Sequence, residues 1–476
     1  MKGKPRIFFR ADGNSKIGLG HVFRSLALAE VLNDTFECHF IIIKPSKELK
    51  DRVLQVCDFL IELSDSTSLI LETKNLVSFI KEQEIIIIDG YQFDVQYQKT
   101  FKENNIKVIC IDDLAESHFV ADAVINHSGG FTKADYSVEK YTKLYLGPQY
   151  ALLRKPFRAK NLIEKENNLF ICLGGADPEN KTIEILYKLE SCKESAKCFL
   201  VIGSAYIYKK ELSVFLERTS LVIDVLNDLS ADEMHHYMSM CARAITPPST
   251  VSYEYLTTGG LLFLKQIADN QKNIQSYLLK NKLALSFDDD FKKSSSLKVD
   301  GNLFLREKAN PFDGRQTQRL RDIFYDLMVS VKVAQLSDCK MYFEWINDED
   351  TRQQSFSSEK IDYQTHKNWF NKRIQSEDSV LCIMCLGNEE IGQVRFEKNE
   401  ASAVLSYSVD KKFRRKGLGF WVLEKGLAFF RKRNPDIEII GYVKMDNLAS
   451  VKLFRRLKFK ENVSNEYKNS YQYIYS

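Results

Sequence analysis

Through its first 330 residues the chain alternates short apolar runs with amphipathic stretches. The runs include Arg6-Ile7-Phe8-Phe9, Phe40-Ile41-Ile42-Ile43, Ile85-Ile86-Ile87-Ile88, Val108-Ile109-Cys110-Ile111 and Leu169-Phe170-Ile171-Cys172-Leu173. Near-continuous apolar strands joined by helices predict parallel sheets covered on both faces. Ligands of such folds sit beyond the carboxyl ends of the strands. Several runs pass there into polar or glycine-bearing loops: Asp89-Gly90-Tyr91, Asp112-Asp113 and Gly174-Gly175-Ala176-Asp177-Pro178. The first junction reads Arg10-Ala11-Asp12-Gly13-Asn14 and then Ile17-Gly18-Leu19-Gly20-His21. A helix follows, with Val22, Leu26 and Ala29 at i, i+4 and i+7 on one face. A charged break at 154–168, holding Pro156, Lys165 and Glu166, divides this region into two halves. The stretch 292–301 reads as an exposed, serine-rich loop and 315–328 as a helix. From about Ser330 the texture changes to helix, helix, a run of strands, a helix and a terminal strand. The expected division is 1–158, 159–329 and 330–476.

Composition narrows the class. The chain has 476 residues, 44% hydrophobic and 28% charged, as in ordinary globular domains. Its net charge of +4, from 68 basic and 64 acidic residues, does not suggest a nucleic-acid binder. No apolar stretch reaches the roughly 20 residues that span a bilayer, and no signal-peptide layout is seen, so a cytoplasmic location is expected. The ten cysteines are scattered through apolar runs, as buried thiols rather than a disulfide framework. Cys382 and Cys385 lie within a strand-like run with no second pair nearby, so they read as structural and no metal is expected.

At the first junction, glycines allow backbone amides to approach a ligand and the helix N-terminus favours negative charge. His21 at its mouth is a residue that moves protons near neutral pH. A tight turn bearing a surface histidine would have the same sequence.

With further stretches in order, this region resembles the UDP-sugar hydrolases of pseudaminic acid biosynthesis. They are Asp89-Gly90-Tyr91, Ile111-Asp112-Asp113-Leu114, Ala121-Asp122-Ala123-Val124-Ile125-Asn126, Leu146-Gly147-Pro148-Gln149-Tyr150, Leu173-Gly174-Gly175-Ala176-Asp177-Pro178, Ser249-Thr250-Val251-Ser252-Tyr253-Glu254, Asp269-Asn270-Gln271 and Asp313-Gly314-Arg315. The resemblance implies two Rossmann-like lobes of GT-B type with the nucleotide sugar between them. It implies His21 as the base that activates water, Gly20, Gly174, Gly175, Ser249 and Thr250 near phosphate, Glu254 at the ribose, and Tyr91 and Asn270 near the sugar. Helix capping by Ser249 and packing by Tyr91 are the plain alternatives. Pro247-Pro248 departs from the small residues relatives carry. A glycosyltransferase would use the same base on an acceptor hydroxyl.

The last third resembles the GNAT N-acetyltransferases. Leu405-Ser406-Tyr407-Ser408-Val409-Asp410 precedes Phe413-Arg414-Arg415-Lys416-Gly417-Leu418-Gly419, the R-x-x-G-x-G loop that presents amides to a CoA diphosphate. Asn447 to Phe454 matches the family's later helix. Trp345-Ile346-Asn347-Asp348 and His366-Lys367-Asn368-Trp369-Phe370 match its N-terminal helices. The resemblance implies an α+β GNAT domain with acetyl-CoA as co-substrate, held by Val409, Arg414, Arg415, Gly417, Leu418, Gly419, Asn447 and Ser450. Phe454 stands where many relatives carry a proton-donating tyrosine, and Lys458 where many carry glycine. Tyr442 is a candidate substitute donor, or a packed strand aromatic. Together the two parts imply a bifunctional enzyme of pseudaminic acid biosynthesis. It would acetylate a UDP-4-amino sugar and then release UDP from the product. A related amino sugar is the alternative acceptor.

Overall fold

The computed structural model describes residues 3–13, 19–64, 68–159, 163–294 and 311–476. Asn14 and Ile17-Gly18 of the first junction lie outside the described residues, as does 295–301 of the expected loop. Lys292–Ser294 ends a helix, Phe287–Ser294, rather than starting a loop. The chain forms two compact units, Arg6–Leu320 and Arg321–Ser476, with residues 3–5 belonging to the second.

The first unit holds two large all-parallel sheets and a two-stranded parallel pair, His118–Phe119 with Ser137–Val138. In the first, β1 (Arg6–Ala11), β2 (Glu37–Ile43), β3 (Phe59–Leu63), β4 (Ile85–Asp89), β5 (Lys107–Ile111), β6 (Ala123–Asn126) and β7 (Lys143–Leu146) run in the order β3-β2-β1-β4-β5-β6-β7. In the second, β8 (Glu166–Cys172), β9 (Cys198–Ile202), β10 (Ile223–Asn227), β11 (Cys241–Thr246), β12 (Leu261–Leu264) and β13 (Leu285–Ser286) run β10-β9-β8-β11-β12-β13. The strand order reverses between β1 and β4 in one and between β8 and β11 in the other. Ligands of open α/β sheets bind at such switch points.

Helix α1 (Gly20–Leu32) follows β1. The pattern gave it one apolar face, yet Arg24, Ser25, Ala27, Leu28, Val31 and Leu32 are buried as well. The returning segment covers its outer side: Arg158 donates to the Ala27 carbonyl at 2.8 Å and pairs with Glu30 at 2.9 Å. Under the turn after β1, the fully buried Arg10 lies 2.6 Å from both Glu72 and Asp12. Asp12 also accepts the Ile43 amide at 2.9 Å, so the loop is tied to β2.

The second unit is one mixed sheet. Strands β14 (Val329–Val333), β15 (Ser379–Leu386), β16 (Glu389–Lys398), β17 (Ser402–Val409), β18 (Glu438–Lys444), β19 (Lys460–Val463) and β20 (Ser470–Tyr475) run β14-β15-β16-β17-β18-β20-β19. The pairing is antiparallel except between β17 and β18. β14 was not foreseen. Cys382 and Cys385 lie three residues apart on β15 and so point to opposite faces of the sheet.

Lys458 lies in the left-handed region at φ 63°, just past the helix Leu448–Arg456. There the Phe459 amide reaches back to the Phe454 carbonyl. Glycine is preferred at this position because it has no Cβ to strain. Lys458→Gly is expected to stabilise the chain by about 0.5–1 kcal/mol, read as a higher urea midpoint. An unchanged or lower midpoint would refute the strain argument.

Candidate functional site

At the switch point of the first sheet, Ala11 ends β1 beside Asp89, the last residue of β4. One turn into α1, His21 and Arg24 project from neighbouring positions on one side of the helix. His21 Nδ1 lies 2.6 Å from Asp89 Oδ1. Arg24 Nε donates to Asp89 Oδ2 at 2.7 Å, and its Nη1 donates to Asp113 Oδ2 at 2.8 Å, beyond β5. Ser25 Oγ adds a donor to Asp89 at 3.2 Å. Burial alone would raise the Asp89 pKa. The Arg24 charge, with hydrogen bonds from Arg24 and His21, outweighs it and holds the carboxyl below its ordinary value. Arg24 Nη2 also lies 2.9 Å from Nδ1, so both side chains hold the ring; in the tautomer whose Nδ1–H donates to Asp89, Nε2 is the nitrogen open to a proton.

Tyr91 packs edge-on against the His21 ring, with centroids 4.9 Å apart. Its hydroxyl donates to Asp113 Oδ1 at 2.8 Å. Desolvation and the Asp113 charge push the phenol up to about 12, and a hydrogen bond with Asn270 partly opposes them.

At the second switch point, β8 runs into Gly174 and Gly175, and β11 into the loop before α2 (Thr250–Thr258). Gly174 has φ 88°, and a Cβ on either glycine would meet nothing within 4 Å, so this backbone is bare on that side. Ser249 is the N-cap of α2, and its amide donates to Ser252 Oγ at 3.4 Å. Ser249 and Thr250 are half-buried. Gly20 is the first residue of α1, with open space where a Cβ would stand. Glu254 differs from the implied role. It is buried, and both its oxygens are held by Arg154, at 2.8 and 2.6 Å. Its carboxylate ties α2 to the segment at Arg154.

Sequence reasoning passed over Asp89, Arg24 and Asp113 as site residues, although charged residues at strand ends and at i+3 on α1 were the available signal. It also missed His127, which follows β6. His127 is buried and accepts the Leu152 amide at Nδ1, 3.3 Å away. Burial, with the Arg24 charge, lowers its pKa to about 4 from 6.5. The unfolded chain therefore binds a proton between these values that the folded chain refuses, and stability falls as pH drops through that window. Between pH 7 and pH 5 this amounts to about 2 kcal/mol. His127→Asn is expected to remove about that much of the loss, measured by urea unfolding at both pH values; an identical loss in the variant would contradict it.

In the second unit, β17 and β18 pair from Ser402–Glu438 to Leu405–Gly441 and then part. Val409 ends β17, and Arg415 at φ 63° and Gly417 at φ 83° turn the chain into α6, labelled after α3 (Cys339–Ile346), α4 (Glu349–Gln354) and α5 (Tyr363–Ile374), over Leu418–Arg431. Successive turned residues before a helix form an amide-lined concavity. Arg415 is exposed there, Leu418 is buried, and a Cβ on Gly419 would stand 3.0 Å from Leu453. Arg414 instead braces the loop. Its guanidinium donates to Asp350 at 2.8 Å, to Asp348 at 2.5 Å and to the Val409 carbonyl at 3.0 Å. Asn447 caps α7 (Leu448–Arg456) by accepting the Ser450 amide at 3.1 Å. Ser450 Oγ lies 2.8 Å from the Tyr407 hydroxyl. Phe454 is buried over bare backbone: a Cβ on Gly441 would lie 2.4 Å from its ring. Tyr442, the next residue, therefore points to the opposite face of β18.

Among the described residues, no group of three His, Cys, Asp or Glu side chains is placed to hold a metal ion, and no helix is long and apolar enough to cross a membrane.

Residues 331–460 match the acetyltransferase (GNAT) domain family. An uncharacterized protein of Methanocaldococcus jannaschii is 28% identical over 268 residues, 53% of this chain and 54% of that one. The UDP-2,4-diacetamido-2,4,6-trideoxy-beta-L-altropyranose hydrolase of Campylobacter jejuni is 31% identical over 196 residues, 40% of this chain and 67% of that one. The chain thus spans only about half the length of the first relative. Among solved structures, spermidine N-acetyltransferase from Vibrio cholerae, in complex with CoA and spermine, is 14% identical, covers 31% of this chain and 95% of its own, and has a TM-score of 0.29. The chain belongs to the family of the Campylobacter sugar-nucleotide hydrolase and carries a C-terminal GNAT acetyltransferase domain; it is an enzyme.

Proposed function

We propose that the chain is a bifunctional cytoplasmic enzyme of pseudaminic acid biosynthesis. Its C-terminal domain acetylates the 4-amine of UDP-4-amino-4,6-dideoxy-N-acetyl-L-altrosamine with acetyl-CoA. Its N-terminal unit, two lobes of GT-B type, hydrolyses the resulting UDP-2,4-diacetamido-2,4,6-trideoxy-L-altrose to UDP and free sugar. The observation that carries the hydrolytic half is the His21–Asp89 pair at the switch point of the first sheet.

In the first unit, His21 Nε2 takes a proton from water as its oxygen attacks the anomeric carbon, and the bond from that carbon to the diphosphate oxygen breaks. Arg24 and Asp89 hold the ring in place, and Asp89 stabilises the imidazolium that forms. Gly20, Gly174, Gly175, Ser249 and Thr250 offer amides and hydroxyls to the leaving diphosphate. Tyr91 and Asn270 border the sugar. In the second unit, the amine nitrogen attacks the thioester carbonyl and forms the amide bond, the carbon–sulfur bond breaks, and the proton the nitrogen loses balances the one the thiolate takes up. The turn from Arg415 to Gly419 receives the CoA diphosphate, with Arg414 bracing it. The edges of β17 and β18 left free where they part, near Val409, receive the pantetheine arm.

The test is mass spectrometry over time with full-length protein and the 4-amino UDP-sugar, with and without acetyl-CoA. Acetylated UDP-sugar followed by UDP and a diacetamido sugar supports the reading. An unchanged UDP-sugar in both reactions defeats it.

A further inference from the structure

Helices α3 and α5 cover one face of the mixed sheet. Leu381 and Ile383 of β15 pack there against Tyr342, Trp345 and Phe370. Directly paired residues share a face. Leu381 pairs with Arg395 and Ile383 with Gln393, which pair in turn with Ser406 and Ser408 of β17. The covered face therefore changes from apolar to polar as it approaches the point where β17 leaves β18.

Gln393 Nε2 donates to Ser408 Oγ at 3.3 Å and Arg352 Nη2 to the Ser357 carbonyl, but three other polar atoms are left unmatched. Arg395 Nε and Gln393 Oε1 are buried without hydrogen-bond partners, and so is Arg352 Nε, on α4. Gln393 and Arg352 are more than nine-tenths buried. Buried polar atoms are normally satisfied, and each left unmatched is destabilising. Here there are two guanidinium donors and an amide acceptor. Three arginines share this region, because the charges of Arg373 and Arg352 both act on Arg395 to lower its pKa, after burial, the largest cause. Glu397, two residues on along β16, pairs with Arg373 at 2.8 Å and stands 3.8 Å from Arg395 Nε. The indole of Trp369 lies 5.0 Å from the Arg395 guanidinium and holds its plane. With Glu397 engaged by Arg373, the Arg395 guanidinium is left with no carboxylate closer than 3.8 Å among the described residues. Arginine forks fit phosphate oxygens bidentately.

We propose that Arg395 and Arg352 bind the diphosphate of the acetyl-accepting substrate, with Gln393 Oε1 accepting a hydrogen bond from an N–H or O–H of the group that diphosphate carries. This rests on the reading of a nucleotide-linked amine as acceptor, and it makes the arginines determinants of specificity for nucleotide-linked over free amino sugars.

Two measurements test it on full-length protein. The first compares acetylation of the UDP-4-amino sugar with that of the same sugar lacking UDP. Arg395→Met is expected to raise KM for the nucleotide-linked amine about tenfold or more, leaving KM for acetyl-CoA and for the free amine unchanged, with partial recovery in Arg395→Lys. Equal losses for both amines would overturn the assignment. If the wild type acetylates neither amine, the functional reading fails, and the second measurement still decides the site. All three tryptophans lie in 345–421, so tryptophan emission reports on the C-terminal unit alone. With CoA saturating, inorganic pyrophosphate is expected to change that emission saturably in the wild type and not in Arg395→Met or Arg352→Met. No saturable change, or one that survives both substitutions, would overturn the proposal.

Discussion

His21→Asn is expected to cut UDP release from the diacetamido UDP-sugar by about 10²–10⁴-fold, the range over which a positioned proton acceptor contributes. The substitution is chosen because asparagine can still donate a hydrogen bond to Asp89 but offers no basic nitrogen beyond it. Acetyl transfer should keep its wild-type rate, since the acetyltransferase fold lies in the separate unit Arg321–Ser476. The two rates in one preparation therefore separate loss of the base from loss of the fold. His21→Phe should behave alike, because it too removes the nitrogen. UDP release at the wild-type rate in either variant would remove His21 from the chemistry and leave it as a residue of the turn.

The parts of this arrangement that the sequence made legible are those with short-range causes. Four isoleucines at Ile85–Ile88 declare a strand buried on both faces, and the structure makes them the centre of a parallel sheet. Gly174-Gly175 after an apolar run declares a strand-to-helix turn, found at the second switch point. What stayed hidden depends on strand order. Asp89 lies 68 positions from His21, and they meet because β4 pairs with β1 while β2 and β3 turn the other way. Nothing near Asp89-Gly90-Tyr91 announces that neighbour. Glu254 and Arg154 are 100 positions apart, so a local motif cannot reveal that the carboxylate is already engaged. Arg414 likewise finds Asp348 and Asp350 across a fold made by α3 to α5. β14 is a different kind of miss. Val329-Ser330-Val331-Lys332-Val333 alternates with period two, so its signal was present but short.

The second large effect is expected at Asp89, because one carboxylate there serves two neighbours. Asp89→Asn should lower UDP release by about 10²–10⁴-fold while leaving His21 in place, since an amide offers its NH₂ where Nδ1–H needs an acceptor and so favours the wrong tautomer. It should also cost stability, because the buried Arg24 loses its nearest counter-charge and keeps only Asp113. Removing one partner of a buried pair costs about 3–5 kcal/mol, and the remaining Asp113 bond places the expectation near the lower end. The pH dependence has a definite sign. The folded Asp89 carboxyl titrates below its ordinary value, so the unfolded chain takes up the proton first. The contribution of Asp89 is thus complete above the ordinary carboxylate range and is lost as pH falls through the folded value. Asp89→Asn should lower the urea midpoint at neutral pH and flatten the stability loss below about pH 4, a window separate from that of His127. Replacing Arg24 by Met in the same chain should restore part of the lost stability but none of the UDP release, since the uncompensated charge goes while the tautomer stays wrong. If Asp89→Asn released UDP at the wild-type rate while showing the stability loss, Asp89 would be a structural partner of Arg24 and His21 would act without it.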